Sequence, residues 1–95
     1  MRMFIAGAEI ELLLYESQSL KGKRQILNSL ITKIRNQFNV AIAEIDYLDT
    51  WQRTRLGLAC VSNSSNHAQQ QLDKMINYIE QDGRFEIIDI YREIF

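Results

Sequence analysis

Four carboxylates in the sequence are candidates for acid–base chemistry, Glu9, Glu11, Glu44 and Asp46, and two arginines, Arg53 and Arg55, accompany them. Two carboxylates act as general acid and general base when their surroundings separate their pKa values. Here two arginines are available to neutralise the carboxylates, and no nucleophile, histidine or glycine-rich loop accompanies them. Opposite charges on neighbouring strands stabilise a sheet, so the pattern favours a structural charge ladder over a catalytic site. We therefore expect a protein that is not an enzyme.

A second group of residues is suited to binding phosphate: Lys21, Lys23, Arg24, Asn28 and Arg35. Between Ser17 and Ala43 the chain carries five basic residues and no acidic one, whereas the rest carries six basic and twelve acidic residues. Helical spacing places residues 21, 24, 28 and 35 along one side of a helix, here called the basic edge. Cations near a helix N-terminus oppose the macrodipole, which indicates a role such as holding a phosphate backbone. The alternative is a solvated charged face.

Four further residues are of types that often bind ligands or partners. Trp51 and Gln52 fall in a predicted turn, where the indole could stack on a base, anchor a partner, or fold back over the sheet edge. One histidine, His67, and one cysteine, Cys60, are too few for a metal site, and we expect no cofactor. Cys60 lies in an apolar run, which is typical of a buried thiol in a reduced, cytoplasmic protein.

Hydrophobic periodicity predicts the elements that position these residues. Two-residue alternation over 3–14, 40–48, 53–62 and 85–95 predicts four strands, and helical spacing over 20–38 and 68–79 predicts two helices. The order β-α-β-β-α-β is typical of a ferredoxin-like α+β domain, with a four-stranded antiparallel sheet and both helices on one face. Residues 1–95 fit one such domain, and no apolar run is long enough to cross a bilayer.

This fold leaves the other face of the sheet uncovered, and we call it the open face. The alternation assigns to its apolar half Met3, Ile5, Val40, Ile42, Ala59, Val61 and Tyr91, and assigns the charge ladder to its other half. Monomers seldom expose a large contiguous apolar patch, so we expect a homodimer that packs through the open face. The central strands expose no aromatic side chains there, which disfavours base stacking across the sheet.

Six short motifs resemble the YlxP-like family, a small bacterial family of unknown function: Ser19-Leu-Lys-Gly-Lys-Arg, Phe38-Asn-Val, Ala43-Glu-Ile-Asp, Trp51-Gln-Arg, Leu56-Gly and Val61-Ser-Asn. The similarity runs from Phe4 to the C-terminus. It implies a ferredoxin-like fold and no particular activity. Family members are often encoded beside translation and ribosome-maturation factors, which implies a role near RNA or the ribosome. Gly22, where the family often has a charged residue, lowers helix propensity in the first turn.

Three hypotheses for the function follow from these patterns. The first is a non-enzymatic accessory protein that binds RNA or the ribosome through the basic edge. The second is a self-associating structural or regulatory module that uses the open face. The third, least favoured, is a small-molecule or catalytic site around Glu44 and Arg53.

Overall fold

The computed structural model describes residues 2–95 as four strands and two helices. In chain order these are β1 (Phe4–Leu14), α1 (Leu20–Gln37), β2 (Ala41–Asp46), β3 (Arg53–Ser62), α2 (Ser65–Glu80) and β4 (Phe85–Ile94). Serine hydroxyls cap both helices: Ser19 accepts from the N–H of Gly22 at 3.0 Å, and Ser64 accepts from that of His67 at 3.3 Å. These caps satisfy backbone donors that have no partner within the helix.

The strands form one antiparallel sheet in the order β2-β3-β1-β4. Alternate residues of β1, from Ala6 to Leu14, meet the buried stripes of the two helices. Burial of these apolar side chains, at about 25 cal/mol per Å² removed from water, is the main source of stability. The predicted ferredoxin-like α+β fold is confirmed.

The face of β2 differs from the prediction. Ile42 lies opposite Leu58 and is only 5% exposed, so it belongs to the core rather than to the open face. Val40, just before β2, is partly buried and packs against the same core. Glu44 lies on the helix side, and the small residues Ala41 and Ala43 face the open side instead. The predicted orientation of β2 is therefore wrong.

A β-bulge at Ile45 returns Asp46 to the open face, where the sequence predicted it. Ile45 is the extra residue between Glu44 and Asp46, and it places Asp46 in register with Arg55. A second bulge, with Ile88 as the extra residue, interrupts the pairing of β4 with β1. Beyond it Ile90 lies opposite Ile10, on the helix side, and Tyr91 lies opposite Glu9, on the open face.

Candidate functional site

The open face contains an apolar groove of about 530 Å³. Its floor is built from residues with little or no side chain, and its walls are mostly large apolar side chains, with the carboxylates of Glu9 and Glu93 also lining it. The floor comprises Gly7, Ala41, Ala43, Gly57 and Ala59, and the walls comprise Ile45, Tyr91 and Phe95.

Two glycines allow the walls to lie close to the sheet. A Cβ atom at Gly57 would lie 3.2 Å from Cγ2 of Ile45, and one at Gly7 would lie 3.5 Å from Cε2 of Phe95. The first distance is tighter than ordinary van der Waals contact. Gly57 therefore gives the bulged Ile45 its place over the sheet.

The sequence identified part of this surface and missed part of it. Ile5, Ala59, Val61 and Tyr91 lie on the open face as predicted, and Val61 and Tyr91 are exposed there; Met3, just before β1, is also exposed. The missed residues are Ala41, Ala43, Ile45 and Phe95, of which Phe95 is 66% exposed. Alanines gave no hydrophobic signal, and the bulge at Ile45 has no sequence signature.

The charge ladder forms beside the groove, with Arg55 at its centre. Its Nε lies 2.9 Å from Glu9 Oε1, and its Nη1 lies 3.2 Å from Glu11 Oε1 and 3.1 Å from Asp89 Oδ2. Arg53 Nε approaches Glu11 Oε2 at 3.3 Å. Hydrogen bonds to Glu9 and then to Asp89 raise the pKa of Arg55. Asp89 was not predicted as a member. The predicted members Glu44 and Asp46 form none of these ion pairs, and Asp46 Oδ1 instead accepts from the N–H of Tyr47 at 2.7 Å.

Replacing Arg55 with alanine is expected to lower the free energy of unfolding by on the order of 1–2 kcal/mol. The change removes three cross-strand pairs, each contributing about 0.2–1 kcal/mol, and leaves three carboxylates close together. Arg53→Ala serves as the control, because Arg53 pairs with only one carboxylate, that of Glu11, and is more exposed. Urea unfolding of both variants makes the comparison, and equal losses would contradict the central position of Arg55.

Glu44 instead accepts charged hydrogen bonds from α1. Its Oε2 lies 2.9 Å from Lys23 Nζ and 2.6 Å from Thr54 Oγ1, and its Oε1 lies 2.5 Å from Arg24 Nη2. Burial opposes ionisation, but the bonds from Thr54, Lys23 and Arg24 outweigh it and hold the pKa of Glu44 below its ordinary value. A carboxylate held ionised by three donors is poorly suited to proton transfer near neutral pH.

Several basic residues of α1 therefore make hydrogen bonds or ion pairs within the domain. Lys23 is 0% exposed and also donates to the carbonyl of Tyr47 at 2.5 Å, so the prediction that it binds phosphate is wrong. Arg24 holds Glu44, and Arg35 Nη2 donates to the carbonyl of Ile42 at 3.1 Å. Lys21 and Asn28 are exposed. Three cations of the basic edge, Lys21, Arg24 and Arg35, still reach solvent.

The turn between β2 and β3 presents Trp51 to solvent, with 53% of the residue exposed. Gln52 is exposed too, while its carbonyl accepts from the N–H of Leu14 at 2.8 Å. Tyr47 adopts a left-handed φ of 61°, uncommon for a residue other than glycine, and Lys23 holds its carbonyl. The turn is thus anchored at Tyr47 while Trp51 remains available for contact.

Sequence similarity to a known family extends over nearly the whole chain. The model of a family described as "Protein of unknown function (DUF503)" matches residues 5–92. The chain belongs to the DUF503 family. It is also 43% identical over 76 residues, 80% of this chain and 83% of the relative, to "Uncharacterized protein YlxP" of Bacillus subtilis (strain 168). The resemblance to the YlxP-like family is thereby confirmed.

Other features of this DUF503 member give no further site. Over residues 2–95 no cluster of three or more His, Cys, Asp or Glu side chains is arranged to hold a metal ion. No helix in the same range is long and apolar enough to span a bilayer. Cys60 is buried, its thiol donates to the carbonyl of Ala68 at 3.2 Å, and burial raises its pKa. The family description names no activity, so function has to be argued from the surfaces.

Proposed function

We propose that this DUF503 member is a non-catalytic cytoplasmic binding protein that works through the open face, and that a second copy is its first partner. The observation that supports this most is the groove, whose walls and surroundings expose large apolar side chains without a covering layer. These side chains are Met3, Ile45, Val61, Tyr91 and Phe95. A contiguous exposed apolar patch with polar residues around it commonly marks an interaction site in a globular domain.

The size of the domain also favours such a contact. A chain of 95 residues buries only about two thirds of its unfolded surface, so its own core leaves a small stability margin. A stable dimer interface covers about 800 Å² on each partner. Covering the open face with the open face of a second copy would remove the groove walls from water, at about 25 cal/mol per Å².

The charged groups support binding rather than catalysis. Glu9 and Glu11 are paired with Arg55, and Glu44 is paired with Lys23 and Arg24. The lowered pKa of Glu44 favours its ionised form, which is unsuited to a residue that must exchange protons. Measuring the molar mass in solution tests the proposal: we expect a two-chain mass, and a one-chain mass would count against it.

A second candidate function is binding of RNA or the ribosome through the basic edge. It is supported by the three cations, Lys21, Arg24 and Arg35, that reach solvent along one side of α1. It is weakened by the burial of Lys23 and by the hydrogen bonds that Arg24 and Arg35 make to β2. The open face is therefore the better supported surface.

For this second function, affinity for a structured RNA is expected to fall steeply with salt, because binding releases counterions from the phosphates. Lys21→Ala should reduce the slope of log affinity against log salt by about one unit, and substitution of Lys21, Arg24 and Arg35 together should abolish binding. Lys33→Ala is the control, since Lys33 faces Asp82 and Arg84 instead. Filter binding at two salt concentrations makes the measurement. Binding that survives the triple substitution would exclude the basic edge.

A further inference from the structure

β4 is an edge strand of the sheet, and every second residue directs its backbone N–H and C=O away from β1. The N–H of Ile5 donates to the carbonyl of Phe95 at 3.1 Å, and the N–H of Phe95 donates to that of Ile5 at 2.8 Å. Because inward and outward groups alternate along an antiparallel strand, the N–H and C=O of Ile90, Arg92 and Ile94 point outward. These three residues follow the bulge at Ile88.

The two border strands are protected to different degrees. β2 is six residues long. Arg35 donates a hydrogen bond to the carbonyl of Ile42, and Lys23 donates one to the carbonyl of Tyr47, just after β2. β4 is ten residues long and contains neither proline nor lysine; its protections are the bulge at Ile88 and, beyond that bulge, the charged side chains of Asp89, Arg92 and Glu93. It also exposes apolar residues on both sides: Ile90 is 39% and Ile94 41% exposed on the helix side, and Tyr91 is exposed on the open face. An edge of this kind is suited to accepting another strand.

We propose that β4 pairs antiparallel with β4 of a second copy, about a twofold axis at Arg92. This register opposes Ile90 to Ile94 and Tyr91 to Glu93, and it uses the outward groups of all three residues beyond the bulge. An axis at Tyr91 would oppose Asp89 to Glu93, and an axis at Ile90 would extend the pairing into the bulge. Two Arg92 side chains meet at the axis, and Asp73 neutralises each of them through an ion pair.

This contact goes beyond the open-face contact and is separate from it. Arg92 lies opposite Ala8, whose side chain is in the core, so Arg92 is on the helix side of the sheet. Two chains joined by their open faces would keep their Arg92 side chains apart. The overlap, residues 89–95, is short, so the pairing is the weaker contact and is best detected by covalent trapping.

The test is disulfide trapping of the full chain carrying Arg92→Cys, with Gln70→Cys, at an exposed position of α2, as the matched control. A disulfide suits the twofold axis because opposed Cα atoms in such a pair are about 5.5 Å apart. Under mild oxidation we expect the Arg92→Cys dimer to form at least about tenfold faster than the Gln70→Cys dimer. Adding Ile90→Lys should reduce the rate to that of the control, because a charged edge opposes strand pairing.

A second variant separates this contact from the open-face contact. The substitutions Ile45→Glu and Val61→Glu are added to the Arg92→Cys chain. The rate of disulfide trapping should not change, whether or not the open face makes a contact of its own. The proposal is overturned if Arg92→Cys is trapped no faster than Gln70→Cys, or if Ile90→Lys has no effect. It is also overturned if the open-face substitutions abolish trapping, or if the Arg92→Cys chain is trapped only on a different protein.

Discussion

Replacing Lys23 with methionine is expected to lower the free energy of unfolding by about 3–5 kcal/mol, the usual cost of removing one partner of a buried ion pair. Methionine has a similar length and fills the space, so the loss reports charge and hydrogen bonding rather than a cavity. The variant leaves Glu44 with Arg24 and Thr54 alone, and it removes the donor to the carbonyl of Tyr47.

Lys21→Met is the matched control, because Lys21 is exposed two residues earlier on the same helix. A surface change of this kind should alter stability by no more than about 0.5 kcal/mol. The double variant Lys23→Met/Glu44→Gln should lose less than the sum of its single variants, since no carboxylate is then left without its ammonium partner. Urea unfolding measures all these proteins. Equal stability of Lys23→Met and Lys21→Met would refute the buried pair.

Two glutamates on the open face, Ile45→Glu with Val61→Glu, are expected to dissociate the dimer. Each substitution would bury a carboxylate in an apolar interface, and the twofold symmetry brings four of them together. We expect the dissociation constant to rise by at least about a hundredfold, which corresponds to roughly 2.8 kcal/mol. Sedimentation equilibrium measures this change.

Two controls accompany the open-face variant. Leu20→Glu makes the same kind of change at an exposed apolar residue of α1 and should leave the dimer intact. Ile42→Glu should unfold the chain rather than dissociate it, because Ile42 lies in the core. Dissociation by Leu20→Glu would indicate a general effect of charge instead of a contact at the open face.

The sequence predicted most of the fold because most elements carry one clear apolar face. In β1 the residues from Ala6 to Leu14 alternate without ambiguity. β2 carries apolar residues on both faces, so its alternation fits either orientation. The charge of Glu44 favoured the wrong orientation, since a lone carboxylate belongs in water. The pairing of Glu44 with Lys23 and Arg24 of α1 explains why it faces inward.

One signal in the sequence could have corrected this. Lys23 lies four, seven and eleven residues before Leu27, Leu30 and Ile34, which are all buried, so it sits on the apolar stripe of α1. A cation on that stripe predicts a buried partner of opposite charge. The acidic residue of β2 on the same side would then have been identified as Glu44, with Ile42 beside it in the core.

The open-face contact is tested most directly by the molar mass of the unmodified chain, measured by light scattering across the micromolar range. The prediction is twice the 11.2 kDa of one chain, falling to a single chain when Ile45→Glu and Val61→Glu are introduced in a variant that still unfolds cooperatively. A one-chain mass for the unmodified protein throughout that range would contradict the proposed function, as would a two-chain mass that persists after both substitutions.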